Sequence, residues 1–321
     1  MENNMSRLGV ILLCIALAVV PCVFASGYQL FQLTLVATYA VAILGLNLVT
    51  GYNGQVSLGH GAFYAVGAYT TAILMDKFNV PYWATLPISG VVCAAFGFLI
   101  GLPALRLGGL YLALTTFALA VAVPQLLKYR LFEDYTGGVQ GLVIDKPEAP
   151  FGLKLTSDQW VYLFTLAVAM VCFLLVANLV RGRIGKAMIA IRDQPLAAEA
   201  MGIDIAMLKT RTFAVSALMT GLAGSLGAIA VQFVAPDAFG VPLSLTFFVG
   251  FVVGGGASIV GPIFGAIFVE FIPNIADGIS KAAPGAVYGV LLIALMFLAP
   301  GGCASIVRKI SARMPWNRKT T

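Results

Sequence analysis

The sequence predicts an all-α polytopic membrane protein with about ten transmembrane or re-entrant helices, in a range of eight to ten. Three observations carry that prediction. Hydrophobic residues make up 60% of the 321 positions and charged residues only 10%. Mean hydropathy is +0.97, above that of a soluble globular chain. The apolar residues also fall into runs of membrane-crossing length divided by turn signals. About 20 residues cross the hydrocarbon core, so residues 1–321 read as one transmembrane domain with one or two loops and no soluble domain beside it.

In order, the runs are 7–26, 29–50, 57–75, 82–102, 108–127, 158–180, 208–231, 243–257, 262–280 and 284–303. The first, with Arg7 ahead of it and Ala25-Ser26 at its end, imitates a secretory signal. Further spans follow at once, so it is read as an uncleaved first span. Between the sixth and seventh runs lies the longest charged interruption, with Arg181, Arg183, Lys186, Arg192, Lys209 and Arg211 against Asp193, Glu199 and Asp204. The positive-inside bias places this loop, 181–207, in the cytoplasm. Alternation then puts both termini, Arg106 and the basic tail 304–321 inside, and the charge-balanced loop 128–157 outside. Two runs admit a re-entrant or broken reading, because 57–75 starts among glycines and 243–257 is short.

The net charge of +6 sits in the central loop and the tail, both beside spans. That placement points to topology and lipid headgroups, with no nucleic-acid partner. Five cysteines lie scattered in or beside apolar runs without metal-ligand spacing, and read as small core hydrophobes. There is one histidine, no clustered ligand set, no G-x-S-x-G, and no phosphate loop, since Gly182 to Lys186 has neither the spacing nor the hydroxyl. The reading is therefore of a chain that is not an enzyme, with no catalytic residues, no metal and no cofactor of its own; any energy source must come from a partner. The pairs Gly97/Gly101, Gly250/Gly254, Gly261/Gly265 and Gly285/Gly289 have helix-packing spacing.

Three stretches carry chemistry. In GYNGQVSLGHGAF, 51–63, glycines break one helix and a new one starts near Ser57. Ser57, His60, Tyr64, Ala68 and Thr71 share one stripe of the new helix. A polar stripe suits a substrate path, and a glycine-preceded helix N-terminus suits an anionic group such as a carboxylate. Gly54, Gln55, Ser57, Gly59, His60 and Tyr64 are the candidate path residues here; the alternative is that the glycines permit close packing and His60 is a satisfied buried donor. The second stretch, 254–267, repeats the pattern of glycine break, serine and helix, a weak sign of an internal repeat, and adds Gly255 as a candidate. Beyond it, Glu270, Asn274 and Asp277 share a face, with Glu270 about 12 Å into its span at 1.5 Å per residue. A carboxylate there costs at least about 2.5 kcal/mol unless it faces a cavity or a partner, so it either lines the path or ties helices together. Asp277 reads as solvated.

The third stretch is the charged loop. Lys186 to Arg192 reads as a short amphipathic helix, Asp193 as the N-cap of a second, Pro195 as its first turn and Gly202 as its stop. The second helix, Gln194 to Met201, has barely two turns and an apolar side of Leu196, Ala197, Ala200 and Met201. Too short to stand alone in water, it must dock on lipid, on its own bundle or on a cytosolic subunit.

RDQPLAAEAMGI, 192–203, resembles the coupling loop of ABC-importer permeases, and with Ala-Ile ahead of it is similar to the branched-chain amino acid permeases of the LivM type. GYNGQVSLGHGAFYAVGAY (51–69), RLGGLYLALTT (106–116), TGGVQGL (136–142), SALMTGLAG (216–224), the stretch 254–266 and the terminal APG (299–301) resemble that family in order over nearly the whole chain. It departs from the pattern at Cys303, where the family commonly has a hydrophobic residue after Pro-x-Gly, and in a partial match to the longer coupling motif. The resemblance implies a multi-pass inner-membrane importer subunit in which Arg192, Asp193, Pro195, Ala198, Glu199 and Gly202 couple to an ATPase. It implies a second related permease, two cytosolic ATPase subunits that use ATP and Mg, an external solute-binding protein, and uptake of apolar amino acids by alternating access. Relatives also carry urea, short amides or aromatic compounds. An ion-coupled secondary transporter using Glu270 is the reading from a different class, and a membrane hydrolase through Ser57 and His60 lacks a third partner.

Overall fold

A computed structural model of the chain describes residues 20–22, 24–104, 109–150, 155–279, 284–298 and 301–305. Most of the expected first span 7–26, Arg106 and the tail beyond 305 lie outside the described residues. Nine of the expected runs coincide with helices: α1 Gly27–Leu46, continued by a π-helical turn Asn47–Tyr52, α2 His60–Phe78, α3 Tyr82–Ala104, α4 Leu110–Leu127, α6 Ser157–Arg181, α9 Ile205–Val231, α10 Val241–Gly254, α11 Gly261–Ile279 and α12 Pro284–Leu298. Between them come the short α5 Glu133–Thr136 and the loop helices α7 Arg183–Asp193 and α8 Pro195–Ala200. Two helix starts follow directly from sequence chemistry. Ser26 with Gln29, and Thr156 with Gln159, form capping boxes in which each side chain satisfies the other residue's backbone amide. Five segments are long and apolar enough to cross a membrane among the described residues: Gly27–Tyr52, Tyr82–Leu102, Ser157–Arg181, Ile205–Val231 and Pro236–Gly254. The fold is all-α and polytopic; the strands β1 Leu142–Val143 and β2 Phe233–Val234 are two residues each, antiparallel, with Leu142 opposite Val234.

The centre is α9, packed against α1, α2 and α3. Small residues set how close these helices come. A Cβ on Gly67 would meet the Gly221 carbonyl oxygen at 2.1 Å, and one on Gly97 would meet the Ala217 Cβ at 2.4 Å. On the other side α10 and α11 form a tight antiparallel pair, where a Cβ on Gly265 would lie 2.0 Å from the Gly250 oxygen. The expected packing pairs at 97/101, 250/254 and 261/265 thus sit at helix contacts. Gly285 and Gly289 do not: a Cβ at either would meet nothing within 4 Å. The expectation for that pair is corrected, because the face of α12 that carries them, along with Val290, Ile293 and Phe297, is exposed.

Shielding explains why 57–75 reads poorly as a lipid-facing span. Helix α2 is buried on the expected stripe of His60, Tyr64, Ala68 and Thr71 and also along Ala62, Ala65 and Tyr69. Enclosed by protein, it tolerates glycine, threonine and histidine that lipid contact would penalise. At 19 residues it is about 28 Å long. The other doubtful run, α10, has 14 residues and is preceded by a 3-10 turn at Pro236–Phe239.

The two ends of the bundle gather different groups. At one end lie the π turn, the break 53–59, α7, α8 and the break 255–260. At the other, Lys146 pairs with Asp158, Lys128 pairs with Asp237, and β1 joins β2. Helical hydrogen bonding and close glycine contacts predict a sharp contrast in tolerance. Gly67→Ala should destabilise the detergent-purified protein by about 1–3 kcal/mol through overpacking, whereas Gly289→Ala should be neutral within about 0.5 kcal/mol; thermal melts of the two variants check this.

Candidate functional site: two glycine breaks beneath a short helix pair

The breaks expected at 51–59 and 254–260 come together. Asn47, wholly buried in the π turn, donates from Nδ2 to the Ser258 carbonyl at 2.8 Å and accepts from the Ala257 amide at 2.9 Å. A Cβ on Gly51 would lie 2.6 Å from that Ala257 amide nitrogen, so the two segments touch through backbone. Gly255 (φ +95°) approaches the Gly301 carbonyl in turn, placing the end of the chain's last described segment on the same cluster. Backbone at this depth must find its hydrogen bonds inside the protein. Gln55 does so from both sides: its amide donates to the Val49 carbonyl at 2.9 Å, its own carbonyl accepts from Thr50 Oγ1 at 3.1 Å, and its side chain accepts from Asn53 at 2.8 Å.

His60 is 1% exposed and fully engaged. Ser216 Oγ donates to the Gly45 carbonyl at 2.6 Å, so it accepts from His60 Nε2–H at 2.7 Å. That tautomer leaves Nδ1 to accept from the Ser57 hydroxyl at 3.1 Å. The chain Ser57, His60, Ser216, Gly45 therefore ties the first break to α9 and α1. Of the two readings open for His60, the satisfied buried donor describes what this structure contains.

The amides at the start of α2 are likewise engaged, with Leu58 N donating to Thr116 Oγ1 at 3.0 Å and Gly61 N to Ser244 Oγ at 2.9 Å. Serine and threonine hydroxyls from α4 and α10 occupy the place where an anionic group was expected. Gly59 lies against α4, where a Cβ would meet the Thr116 oxygen at 2.6 Å. Tyr64 packs its ring on Phe239 and Phe247, and Thr71 meets Ser225 at 2.5 Å. In this structure the polar stripe of α2 is a packing seam with α9. Glu270 lies on α11, half-buried, its backbone carbonyl accepting from Asn274 Nδ2 at 2.9 Å; Asn274 and Asp277 are exposed.

Beneath the breaks sits the helix pair. Helix α7 begins at Arg183, three residues earlier than expected, and buries Gly185, Met188 and Ile191. Asp193 is its last residue rather than an N-cap: the carboxylate accepts from Arg192 Nε at 2.8 Å, and Gln194 takes the cap position without a side-chain bond. The neighbouring guanidinium outcompetes the amides of a six-residue helix for that carboxylate. Pro195 opens α8 as expected. Its end is a Schellman motif, in which Ile203 N donates to the Ala198 carbonyl at 3.1 Å and Gly202 N to that of Glu199 at 2.9 Å, with Gly202 at φ +81°. The expected apolar side, Leu196, Ala197, Ala200 and Met201, is exposed throughout, Leu196 at 82% and Met201 at 83%. Ala198, outside that side, is 3% exposed and turned into this chain. An open cleft of about 440 Å³ lies beside α8, lined by Glu199, Gly202, Ile203, Asp204 and Lys209 among others.

Asn47 and Ser216 were not singled out from the sequence as site residues, and Arg192 entered only as a coupling position implied by the family resemblance. The available signal was their polarity inside, or directly beside, long apolar runs. What it lacked was any indication of partner, since Asn47 and Ser258 are 211 positions apart.

A polytopic helical bundle of apolar spans, with two glycine breaks brought together and a pair of short helices beside them, fits the class of membrane transport subunits. The sequence pattern of the branched-chain amino acid transport system permease component matches residues 28–300, and the chain belongs to that family. It is 32% identical over 299 residues to the high-affinity branched-chain amino acid transport system permease protein LivM of Escherichia coli K12, covering 86% of this chain and 69% of the relative. It is 24% identical to the corresponding BraD permease protein of Pseudomonas aeruginosa, covering 84% of this chain and 92% of the relative. The probable LivH permease of Methanocaldococcus jannaschii is also 24% identical, over 82% of this chain and 87% of its own. No solved structure matches.

His60→Leu removes one donor and one acceptor, leaving the Ser57 hydroxyl without its His60 partner and Ser216 with only its bond to the Gly45 carbonyl. A loss of about 2–4 kcal/mol of stability follows from leaving such groups unpaired, read as a fall in melting temperature. Retained stability with lost transport would instead make His60 a path residue.

Proposed function

We propose that this chain is the membrane-spanning permease subunit of an ATP-driven importer of branched-chain amino acids. It lies in the inner membrane with both termini and the 181–207 loop in the cytoplasm, beside a second related permease, two ATPase subunits that supply the energy from ATP and Mg, and an external solute-binding protein. The family supports the importer and its substrate class, and similarity to relatives named both LivM and LivH supports a pair of unlike permeases. The excess of arginine and lysine at 181–211 supports the orientation.

The observation that carries the coupling role is α8. A six-residue helix with Leu196 and Met201 almost fully exposed, beside an open cleft, is not stabilised by propensity. Its Schellman stop and its buried Ala198 hold it in place, so it presents a preformed apolar ridge to a partner. In the proposed cycle, closure of the ATPases on nucleotide displaces α7 and α8, and the bundle moves between outward- and inward-open states. Glu199 and Gly202 belong to this machinery as walls of the cleft, while Arg192 lies behind it and links the loop to the bundle.

Reconstituted vesicles holding the full complex test the reading: uptake of leucine should require ATP and the ATPase subunits, and transport by this chain alone on an ion gradient would overturn it. Leu196→Glu with Met201→Glu should lower uptake by roughly tenfold or more, as expected for two truncated anchors of a docking surface, with the melting temperature of the isolated chain unchanged. For Glu270, uptake should survive in Glu270→Gln better than in Glu270→Leu if hydrogen bonding is its role; equal loss in both marks a role for the charge.

A further inference from the structure

Arg192 sits in the middle of the proposed docking loop, yet its side chain points into the bundle. From Nη1 it donates to the Gly51 carbonyl at 2.9 Å, while Nε holds Asp193 at 2.8 Å. Its stem lies against Gly54, at φ +71°, where a Cβ would come within 2.7 Å of Arg192 Cγ. The Gly51 carbonyl belongs to the last turn of the long helical segment 27–52, where carbonyls lack intrahelical partners. A cation at that position answers both the free lone pair and the negative end of the helix dipole. Arg192 therefore caps the end of α1 and its π turn from a distant segment of the chain.

That capped turn leads onward. Four residues before Gly51, Asn47 grips both Ala257 and Ser258 in the second break. π turns are wide, seldom used elements that concentrate where helices change shape. A connected path of hydrogen bonds and backbone contact thus runs from α7 through Arg192 and the π turn to the break between α10 and α11. Nothing else in the α7–α8 pair reaches the breaks by a side-chain hydrogen bond among those described, and α7 otherwise touches the bundle through Met188 and Ile191.

We infer that Arg192 is the transmission residue of this permease. It converts movement of the α7–α8 pair into movement of the π turn and, through Asn47, of the second glycine break. This rests on the coupling role proposed for α8 and adds the internal route by which that role is exercised. When the pair is displaced, the Gly51 carbonyl loses its cap and both breaks are released together.

The test uses the complete complex in vesicles, with Arg192→Ala, Arg192→Gln and Arg192→Lys. ATPase subunits should copurify with all three, and ATP hydrolysis should stay within about twofold of wild type. Uptake should fall roughly tenfold or more in the Ala and Gln variants, the scale of one charge-assisted hydrogen bond, and recover in part with Lys, which can still reach a single carbonyl. Asn47→Ala should give the same split between hydrolysis and uptake, and the double variant Arg192→Ala/Asn47→Ala should be no worse than the poorer single one within about twofold, as for two points on one path. Loss of copurification would make Arg192 a docking residue; parallel loss of hydrolysis and uptake, normal uptake, multiplicative losses in the double variant, or failure of both Ala and Gln variants to accumulate would each overturn the inference. Wild-type uptake without ATP would instead overturn the importer reading itself, so the two failures are distinguishable.

Discussion

Asn47 holds the two glycine breaks together with one side chain, donating a hydrogen bond to the Ser258 carbonyl and accepting one from the Ala257 amide. Around that clamp the structure follows one constraint: backbone removed from water must be hydrogen-bonded by protein. Several backbone groups in and around the first break are met by side chains from elsewhere. Thr116 serves Leu58, Ser244 serves Gly61, Ser216 serves Gly45, and Arg192 serves Gly51. The partners come from α4, α10, α9 and α7, so satisfying one irregular segment fixes the positions of four helices.

Close packing works on the same elements from the opposite direction. Without a hydrophobic driving force between helices in lipid, association depends on backbones approaching closely enough for dispersion and polar contacts. Glycines at 67, 221 and 224 bring α2 onto α9, and that proximity lets His60 reach Ser216 and Thr71 reach Ser225. Glycine seam and hydroxyl ladder are a single device. It is rigid along most of α2 and gives way to irregular backbone only at the end nearest the loop helices.

The helices themselves were largely legible in the sequence, because span length and hydropathy depend on each segment's own contact with an apolar environment. Nine expected runs match helices, and the capping boxes at Ser26 and Thr156, Pro195 at the start of α8 and Gly202 beyond its end are local chemistry readable within four residues. Legibility failed where two local partners competed. Asp193 looks like an N-cap until Arg192 is seen to hold its carboxylate. It failed also where a face's surroundings decide its role, as with Gly285 and Gly289 on the exposed side of α12 and Ala198 on the inner side of α8.

By itself the sequence determined a membrane-embedded helical chain, the order of its spans, the charged loop between the sixth and seventh, and membership in a family whose pattern runs through most of its length, since these depend on composition and neighbours along the chain. Tertiary structure alone decided which partners the polar residues within the apolar runs meet. His60 bridges Ser57 and Ser216, hydroxyls meet the amides at the start of α2, and the partly exposed Arg192 reaches back to the Gly51 carbonyl. The physical reason is that a buried polar group is defined by its partner, and here those partners lie as far as 211 positions away.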